Sequence, residues 1–449
     1  MLNQIILGAG PSGLSFSLFN NVKIPILEKN EFVGGHTSSF FIDGYTFDYG
    51  PHIIFSKDKQ ILNFIVNSLH ENVHKCRRNN KVSYKNRLIK YPFENDLKSL
   101  DFKDNLSCIT NFIFNRYKNI YSSPKNMKEW LLYTFGKGIC EKYLIPYNEK
   151  IWNIPVEQLS MVWSERIPNP SLIDVLKSSF GIATEGYLHQ LYYYYPKKGG
   201  YQAISESWAK ACDVRLKENV KEIIVENNYL SVKTSNNDYK TKRIISTINL
   251  SNLLRACKNW VPAEITDAYN KLIVNPMYVI SIGIRGQDLD QYTAIYFSDP
   301  EFLVNRISFP CTFSKENGPE NCYSIQAEIT FAKKSEISKM EDHEISNHVI
   351  EGLKKKKIIK DEIVFVDVKR CAESYVVYDV NYEKNIKLIR DFFFSKNIIL
   401  LGRFSYFEYI NIDMAINRSM LVYSMINSSK ETKEDLLNKA LLKIKGQLV

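Results

Sequence analysis

The fold is decided by NQIILGAGPSGLSFSLFN, residues 3–20, and by VKIPILEKN, residues 22–30. The first stretch opens with an apolar run of the buried type, which predicts a β-strand at Gln4–Leu7. Three glycines spaced GxGxxG then lead into a short helix, and the second stretch predicts a strand that ends at the acidic residue Glu28. This order of strand, glycine pattern, helix, strand and acid predicts a dinucleotide-binding unit.

Each glycine of the pattern has its own physical role. Gly8 permits the tight turn, Gly10 lets the backbone approach a pyrophosphate, and Gly13 lets the helix pack closely on the strand. The start of the helix adds free N–H groups and the positive end of the helix dipole, which both attract phosphate. Glu28 can then accept hydrogen bonds from the hydroxyls of an adenosine ribose.

The residues after Glu28 favour FAD over NAD. Gly34 and Gly35 follow it closely, and FFIDGYTFDYG then has the pattern of a β-hairpin. An NAD domain would continue into another βαβ unit, whereas many FAD domains have a glycine pair here and then strands that lead to the flavin. The strand-like segments at 218–227 and 243–249 are typical of a cofactor domain that is interrupted by other segments.

We therefore expect an α/β fold with a discontinuous, Rossmann-like FAD-binding domain, a helical subdomain and an antiparallel-sheet substrate domain. Hydrophobic patterning predicts helices at about 57–73, 98–118, 125–145 and 171–180, an amphipathic surface helix at Lys433–Lys445, and strands at 278–286 and 293–299. The predicted divisions are 1–90, 196–275 and 390–430 for the FAD-binding domain, 91–195 for a mainly helical substrate or lid subdomain, 276–389 for the β-sheet substrate domain and 431–449 for the C-terminal helix.

The composition limits the classes of partner. The 449 residues carry a net charge of +10, but the basic clusters at 75–78 and 354–357 have the pattern of solvated faces or turns, so we expect no nucleic-acid binding. The eight cysteines are scattered without metal-ligand spacing, which predicts no metal site and a reducing, cytoplasmic location. No apolar run reaches the length of a membrane span, and the chain starts directly in a strand without a signal-peptide pattern.

Eight collinear motifs resemble the UDP-galactopyranose mutase family, nearer to its eukaryotic-type branch. They are GAGPSGL (8–14), YGPHIIFS (49–56), IKYPFEND (89–96), EWLLYTFGKGICEKYLIPYNEKIW (129–152), WSERIPNP (163–170), YPKKGG (195–200), IGIRG (282–286) and GRFSYFEY (402–409). The resemblance covers nearly the whole chain. It implies a flavin-dependent isomerase that interconverts the pyranose and furanose forms of a UDP- or GDP-linked sugar for cell-surface polysaccharide synthesis.

The resemblance also implies the chemistry. FAD acts in its reduced form without net redox change, and its N5 atom serves as the nucleophile at the anomeric carbon. The enzyme must hold the nucleotide diphosphate while it leaves and returns. No separate NAD(P)H domain is visible, so an external reductant such as NAD(P)H binds in the same cleft or another protein reduces the flavin. A homo-oligomer is possible, and the sequence does not decide this.

The family motifs assign roles to individual residues of this chain. Catalytic positions are His52, Arg166, Arg306 and Arg403. Substrate-binding positions are Tyr91, Phe93, Glu94, Asn148, Trp152, Tyr296, Tyr375, Tyr409 and Asp413. Cofactor-binding positions are Gly8, Gly10, Ser12, Gly13, Glu28, Lys29, Gly35, His36, Val220, Gly402, Arg403, Met414 and Ala415. Arginine suits a diphosphate because its fork is bidentate and permanently charged, and tyrosine adds neutral donors.

Three positions depart from the family pattern and leave the substrate open. The family Gln that follows YPF is Glu94 here, and a carboxylate only accepts hydrogen bonds, which suits guanine or a cytosine amino group better than uracil. An aromatic position is Ala294, and the family Asn ten residues after the clamp arginine is Asp413.

Two other classes of protein share parts of this pattern. An oxidase or desaturase of the amine oxidase and protoporphyrinogen oxidase type has GxGxxG, the acid and a terminal GR motif, but it needs an apolar or amine pocket in place of the arginines and tyrosines. A non-catalytic flavin- or nucleotide-binding module predicts gaps among the clamp residues, and the sequence has none.

Overall fold

The computed structural model describes residues 1–118, 123–167, 169–184, 191–287 and 290–447, without the side chains of 116–118, 165 and 166. In chain order, the strands of this described part are β1 (Ile5–Leu7), β2 (Pro25–Leu27), β3 (Ser39–Ile42), β4 (Tyr45–Asp48), β5 (His74–Arg77), β6 (Asn80–Tyr84), β7 (Arg87–Lys90), β8 (Tyr192–Tyr195), β9 (Asp213–Arg215), β10 (Glu222–Val225), β11 (Leu230–Lys233), β12 (Asp238–Thr241), β13 (Ile244–Ser246), β14 (Ile273–Arg285), β15 (Ala294–Phe297), β16 (Arg306–Ser308), β17 (Cys322–Thr330), β18 (Glu362–Val377) and β19 (Ile398–Leu400).

The helices of the same residues pack around these strands. They are α1 (Pro11–Phe19), α2 (Lys59–Ser68), α3 (Phe102–Lys118), α4 (Met127–Ile139), α5 (Ile145–Trp152), α6 (Leu172–Ser179), α7 (Ala203–Ala209), α8 (Leu250–Ala256), α9 (Ala263–Asn270), α10 (Pro310–Phe313), α11 (Asp342–Lys355), α12 (Tyr382–Ser395), α13 (Ile412–Asn427) and α14 (Lys433–Ile444). Among the described residues, no helix combines the length and the hydropathy that crossing a membrane requires.

A parallel sheet of five strands holds the glycine pattern. Its order is β19-β13-β1-β2-β9, and every neighbouring pair is parallel. β1, β2, β13 and β19 are buried along their whole length, as parallel strands covered on both faces are. The sheet draws its strands from both ends of the chain and from its middle, so the α/β class predicted from the sequence is confirmed.

A second, mostly antiparallel sheet forms the other large layer. Its order is β18-β14-β17-β16-β15-β6-β7, with β15 and β6 as the one parallel pair. The predicted strand at 278–286 overlaps the longer β14, which ends at Arg285 and is buried from Val274 to Ile284. The segment predicted at 218–227 contains β10, which lies in a small separate sheet with β11 and β12. The segment predicted at 243–249 contains β13, which lies in the parallel sheet.

The predicted helix at 125–145 is interrupted for a reason of packing. Gly136 has φ +73°, and a Cβ on it would lie 2.7 Å from the backbone oxygen of Asn111 in α3. A Cβ on Gly138 would lie 2.6 Å from the backbone oxygen of Ser107. The two glycines therefore let α3 and α4 approach closely, and the chain continues as a single π-helical turn at Cys140–Leu144.

Candidate active site

Two glycines of the first loop are required by the packing of the protein itself. Gly8 has φ +99°, and a Cβ on it would lie 2.6 Å from Oγ1 of Thr247. A Cβ on Gly13 would lie 2.2 Å from the backbone oxygen of Gly8, so α1 could not approach β1 with any larger residue here.

Two other glycines face open space, which identifies a cradle for a ligand. A Cβ on Gly10 would have only the backbone oxygen of Gly34 within contact range, at 3.8 Å. A Cβ on Gly35 would meet only the Cα of Gly10, at 3.6 Å. α1 starts beside this space with Pro11 in its first turn and no side-chain cap, which leaves amide donors for an anion. The loop therefore fits the pyrophosphate of FAD.

Glu28 lies at the end of β2 against the glycine loop. Its Oε2 accepts a hydrogen bond from the amide of Ala9 (2.9 Å), and its Oε1 accepts one from the amide of Asn30 (3.0 Å). The side chain is buried and fixed, and each oxygen keeps a lone pair for a ribose hydroxyl. The other predicted residues of this end are less constrained, since Lys29 is exposed and Val220 packs half-buried at the edge of an apolar cluster.

A second helix start adjoins the first. α13 begins without a side-chain cap, and its Ser419 hydroxyl donates to the backbone oxygen of Ser12 at 3.1 Å. A Cβ on Gly402 would lie 2.7 Å from Oγ of Ser12, so the segment that carries Arg403 passes directly over α1.

Not every predicted donor of α13 is free. The amide of Ala415 donates to the backbone oxygen of Asn411 (3.0 Å), as the first bond within the helix. The amide of Met414 donates to Oδ1 of Asp413 (2.9 Å), while Oδ2 of Asp413 accepts from the hydroxyl of Ser56 (2.7 Å). Asp413 therefore ties the start of α13 to the segment that follows His52.

Two neutral histidines lie beside this helix start. The rings of His36 and His52 are 5.9 Å apart, and His52 also lies 5.2 Å from the ring of Tyr201. Burial, with the positive charges of Arg403 and Arg306, lowers the pKa of His52 to about 3. Burial, Arg403 and His52 likewise hold the pKa of His36 well below its usual value. Nδ1 of His52 is buried and has no hydrogen-bond partner among the described residues.

Arg403 is a cation held by neutral groups. Its Nη2 donates to the backbone oxygen of Ser374 (2.8 Å) and its Nη1 to that of Ile410 (3.3 Å), while its guanidinium carbon lies 4.1 Å from the centre of the Tyr409 ring. Nε is buried without a partner in the described part of the chain, and no carboxylate there pairs with this arginine. A half-buried cation without a counter-ion is a ready site for an anion.

Arg306 is held differently. Its Nε and Nη2 donate to Oε2 of Glu328 on the neighbouring strand, at 2.8 and 2.6 Å. Nη2 also donates to the hydroxyl of Tyr375 at 3.3 Å. The Glu328 side chain is 1% exposed, so Arg306 is both a member of a buried ion pair and the charged neighbour of Tyr375.

Aromatic side chains surround the two arginines. The rings of Tyr375 and Tyr409 stack at 5.7 Å, and Trp152 lies edge-on to both of them at 5.8 Å. Asn148, which the sequence predicts to bind substrate, is buried, and its Nδ2 donates to the backbone oxygen of Leu144 while its Oδ1 accepts from Nε1 of Trp152. Asn148 therefore orients Trp152.

A second aromatic group extends from Arg306 toward the helical part. Tyr91 stacks on Tyr296 at 5.1 Å, and Tyr147 lies edge-on to Tyr296 at 5.7 Å. Phe93 is fully buried as a core residue between neighbouring rings, and Glu94 is buried beside Tyr91, whose pKa is raised by burial and by Tyr296 and Glu94.

Sequence reasoning missed four residues of this region. Glu328 is hydrogen-bonded to Arg306, Trp163 lies edge-on to Tyr409, and Tyr201 packs on His52. Arg78 lies over the ring of Phe55 at 5.2 Å and its charge reaches Tyr91. Arg78 belongs to the 75–78 cluster, which the sequence predicts to be a solvated face or turn. Its position directly after β5 is the one feature that could have indicated a role near the site. Of the predicted clamp, Arg166 ends a 3-10 helix at Met161–Arg166, and its side chain lies outside the described residues.

Comparison with known proteins gives a family and a set of similar folds. The family model described as flavin containing amine oxidoreductase matches residues 19–375. A solved structure of a reduced UDP-galactopyranose mutase is similar with a TM-score of 0.87 and 21% identity over 99% of each chain. A putative protoporphyrinogen oxidase from Exiguobacterium sp. 255-15 has a TM-score of 0.74 and 15% identity, over 95% of this chain and 99% of that one. A putrescine oxidase has a TM-score of 0.67 and 14% identity, over the same shares.

These similarities support the fold predicted from the sequence, and the match to the family model covers most of the chain. The cradle at Gly10 and Gly35, the buried acid Glu28 and the two adjoining helix starts fit the cofactor that this family is named for. The chain belongs to the flavin-containing amine oxidoreductase family.

Proposed function

We propose that this protein is a flavin-dependent nucleotide-sugar mutase that interconverts the pyranose and furanose forms of a UDP- or GDP-linked sugar, for cell-surface polysaccharide synthesis. The observation that carries the proposal is Arg403, a half-buried cation with no carboxylate partner among the described residues, which lies beside Tyr375 and Tyr409. A UDP-galactopyranose mutase is among the solved structures with a similar fold, with a TM-score of 0.87.

FAD supplies the nucleophile for the anomeric carbon when it is bound in its reduced form, and the cradle of Gly10 and Gly35 with Glu28 would hold it. The neighbouring residues serve the substrate. Arg403 and Arg306 bind the diphosphate, with the hydroxyl of Tyr375 between them and Tyr409 beneath Arg403. Because both charges are permanent, they hold the diphosphate through its departure and its return.

His52 completes the site as a neutral group. Its lowered pKa keeps the imidazole uncharged at neutral pH, so it can donate or accept one hydrogen bond without adding a charge. Its unpartnered Nδ1 suits a polar atom of the flavin or of the sugar.

The base of the nucleotide would lie against the other aromatic group, which contains the stacked rings of Tyr91 and Tyr296. Glu94 is buried beside this stack rather than solvated at its rim. A carboxylate there accepts hydrogen bonds from the adjacent N1–H and N2–H donors of guanine, and this favours a GDP-linked over a UDP-linked sugar.

The reaction is tested by incubating the dithionite-reduced protein with UDP- and GDP-linked sugars. We expect an isomeric product without net oxidation, and little turnover by the air-oxidised protein. Equal activity of the oxidised protein would contradict the proposal. Stoichiometric hydrogen peroxide from an amine or polycyclic substrate would instead favour the oxidase alternative, which the similar oxidase folds keep open.

The clamp is tested by Arg403→Ala, with Arg403→Lys as the matched control. A charged hydrogen bond contributes about 1.5–3 kcal/mol, so we expect the alanine variant to bind UDP or GDP about 10- to 100-fold more weakly. The lysine variant keeps the charge but loses the bidentate fork, so its nucleotide affinity should lie between those of the wild type and the alanine variant. Titration calorimetry of both nucleotides measures this, with flavin content as the check on cofactor binding. Unchanged affinity in the alanine variant would remove the clamp.

A further inference from the structure

An apolar surface lies on the helical part of the protein, away from the residues assigned to the reaction. Its centre is Phe102 in α3 and Phe180 at the end of α6, which are 81% and 77% exposed. No aromatic side chain in the described part of the chain is more exposed than these two. Leu106 and Ile182, which are also exposed, extend the surface, and we call these four residues the α3–α6 face.

Hydrogen bonds join the two helices beside this face. The Nδ2 of Asn105 donates to the backbone oxygen of Ser179 (3.0 Å), and the hydroxyl of Ser179 donates to Oδ1 of Asn105 (2.8 Å). Asn105 precedes Leu106, and Ser179 precedes Phe180, so the paired polar groups bring the exposed side chains of both helices together. The polar bonds fix the helices, and the apolar side chains remain on the outside.

The charges around the face are mainly positive. Lys98, Lys103 and Lys177 are exposed, and a Cβ on Gly181 would lie 3.2 Å from the Lys98 side chain. Of the nearby acids, Asp101 lies 3.6 Å from Nζ of Lys85 and is compensated by it.

Three further acids lie near the face in the described part of the chain. Asp96 is half-buried and accepts hydrogen bonds from the amide of Lys90 (2.8 Å) and the hydroxyl of Ser99 (2.7 Å). Asp104 is buried and paired with Lys85 at 2.6 Å and with Lys142 at 3.4 Å. Asp174 lies in the first turn of α6, at the opposite end of the helix from Phe180. Exposed phenylalanines with lysines around them are typical of a surface that binds a membrane. The rings insert among the acyl chains, and the lysines bind anionic headgroups.

We propose that the α3–α6 face docks the protein on an anionic lipid bilayer. The charge pattern favours this partner over a second copy of the chain, because a symmetric contact would bring the three lysines of both copies into one interface. The proposal concerns where the protein works and is independent of the reaction proposed above.

The test is co-sedimentation of the flavin-loaded, full-length protein with phosphatidylcholine vesicles, with and without phosphatidylglycerol. We expect binding to the anionic vesicles that weakens as salt is raised. The double variant Phe102→Ser, Phe180→Ser should lower the partition coefficient about tenfold or more, because each lost ring is apolar area that no longer inserts into the bilayer. The matched control is Phe394→Ser, since Phe394 is 58% exposed on α12, and it should bind as the wild type does.

A second pair of variants tests the electrostatic part. Lys103→Gln with Lys177→Gln should lower binding to anionic vesicles about tenfold and leave the weak binding to neutral vesicles unchanged. Unaltered flavin absorbance and circular dichroism check that each variant is folded. The proposal is overturned if the wild type does not bind, if Phe394→Ser loses as much binding as the double variant, or if the phenylalanine variants only abolish a concentration-dependent dimer.

Discussion

At the scale of single residues, the two kinds of glycine in the first loop make opposite predictions. Gly10→Val places a side chain where the protein has open space, so we expect a folded protein that has lost its flavin. Gly13→Ala places a Cβ 2.2 Å from the backbone oxygen of Gly8, so we expect a poorly folded protein whether or not flavin is added. Flavin absorbance per chain and circular dichroism separate the outcomes. Full flavin content in Gly10→Val would contradict the assigned cradle.

The two arginines also differ at this scale. Arg306→Ala leaves Glu328 as a buried, unpaired charge, and breaking such a pair costs about 3–5 kcal/mol. We therefore expect Arg306→Ala to lower the free energy of unfolding, measured in urea, by far more than Arg403→Ala does. Arg306→Ala combined with Glu328→Gln should recover a large part of the stability without recovering nucleotide binding. A single Arg306→Ala variant as stable as the wild type would contradict the ion pair.

At the scale of elements, Asp48 at the end of β4 links the hairpin to the 195–201 segment. Its carboxylate accepts hydrogen bonds from the hydroxyls of Ser39 (2.6 Å) and Tyr195 (2.7 Å) and from the amide of Tyr201 (3.0 Å). Burial outweighs these bonds and raises the pKa of Asp48 to about 6. Tyr201 in turn packs on His52, so Asp48 is joined through Tyr201 to the residues around His52.

The raised pKa of Asp48 predicts how the stability of the protein depends on pH. The folded state binds a proton at Asp48 more tightly than the unfolded chain does, so its contribution to stability is present below about pH 4 and is lost as the pH rises through about 6. A shift of about two units corresponds to about 3 kcal/mol. We expect Asp48→Asn, which cannot ionise, to gain that much relative to the wild type between pH 4 and pH 7 in urea unfolding. Parallel pH profiles of the two proteins would contradict the shift.

Features of the fold and the site that depend on neighbouring residues in the chain could be predicted from the sequence, and features that depend on residues far apart in the chain could not. β1, the glycine turn, α1 and β2 form one continuous segment, and local patterning predicted all of them. β9 has three half-buried residues with two charged ends, and it joins the parallel sheet only because β2 presents an edge there. The pair of Arg306 and Glu328 depends on the register of β16 against β17, which no local pattern specifies.

At the scale of the whole molecule, the last helix fastens the cofactor domain. Leu436, Leu437 and Ala440 of α14 are buried in the cluster that contains Phe16 and Phe19 of α1. Nζ of Lys443 donates to the backbone oxygen of Leu18 at 3.2 Å. The sequence predicted this amphipathic surface helix correctly, but the pattern does not say what its apolar side covers.

Truncation tests that role. A chain that ends before Lys433 exposes the two leucines and the α1 surface beneath them, and burying a leucine contributes about 1.5–3 kcal/mol. We expect this truncation to lower the free energy of unfolding by several times that of a single core substitution and to weaken flavin retention. A chain that ends after Lys445 keeps the whole of α14 and is the matched control. Equal thermal stability of the two truncations would show that α14 is dispensable.

The order of strands in the parallel sheet has a consequence for how the protein is made. The glycine loop leaves the ribosome first, but β13, which pairs with β1, lies more than two hundred residues later, and β19 and α13 follow near the end of the chain. Ser15 and Ser419, whose hydroxyls are 2.9 Å apart, are separated by 404 residues. Contacts of such long range slow folding and leave apolar strands uncovered during synthesis. A nascent chain of this protein therefore carries its glycine loop without the neighbouring strand β13, and without α13 beside it, until those segments have been synthesised.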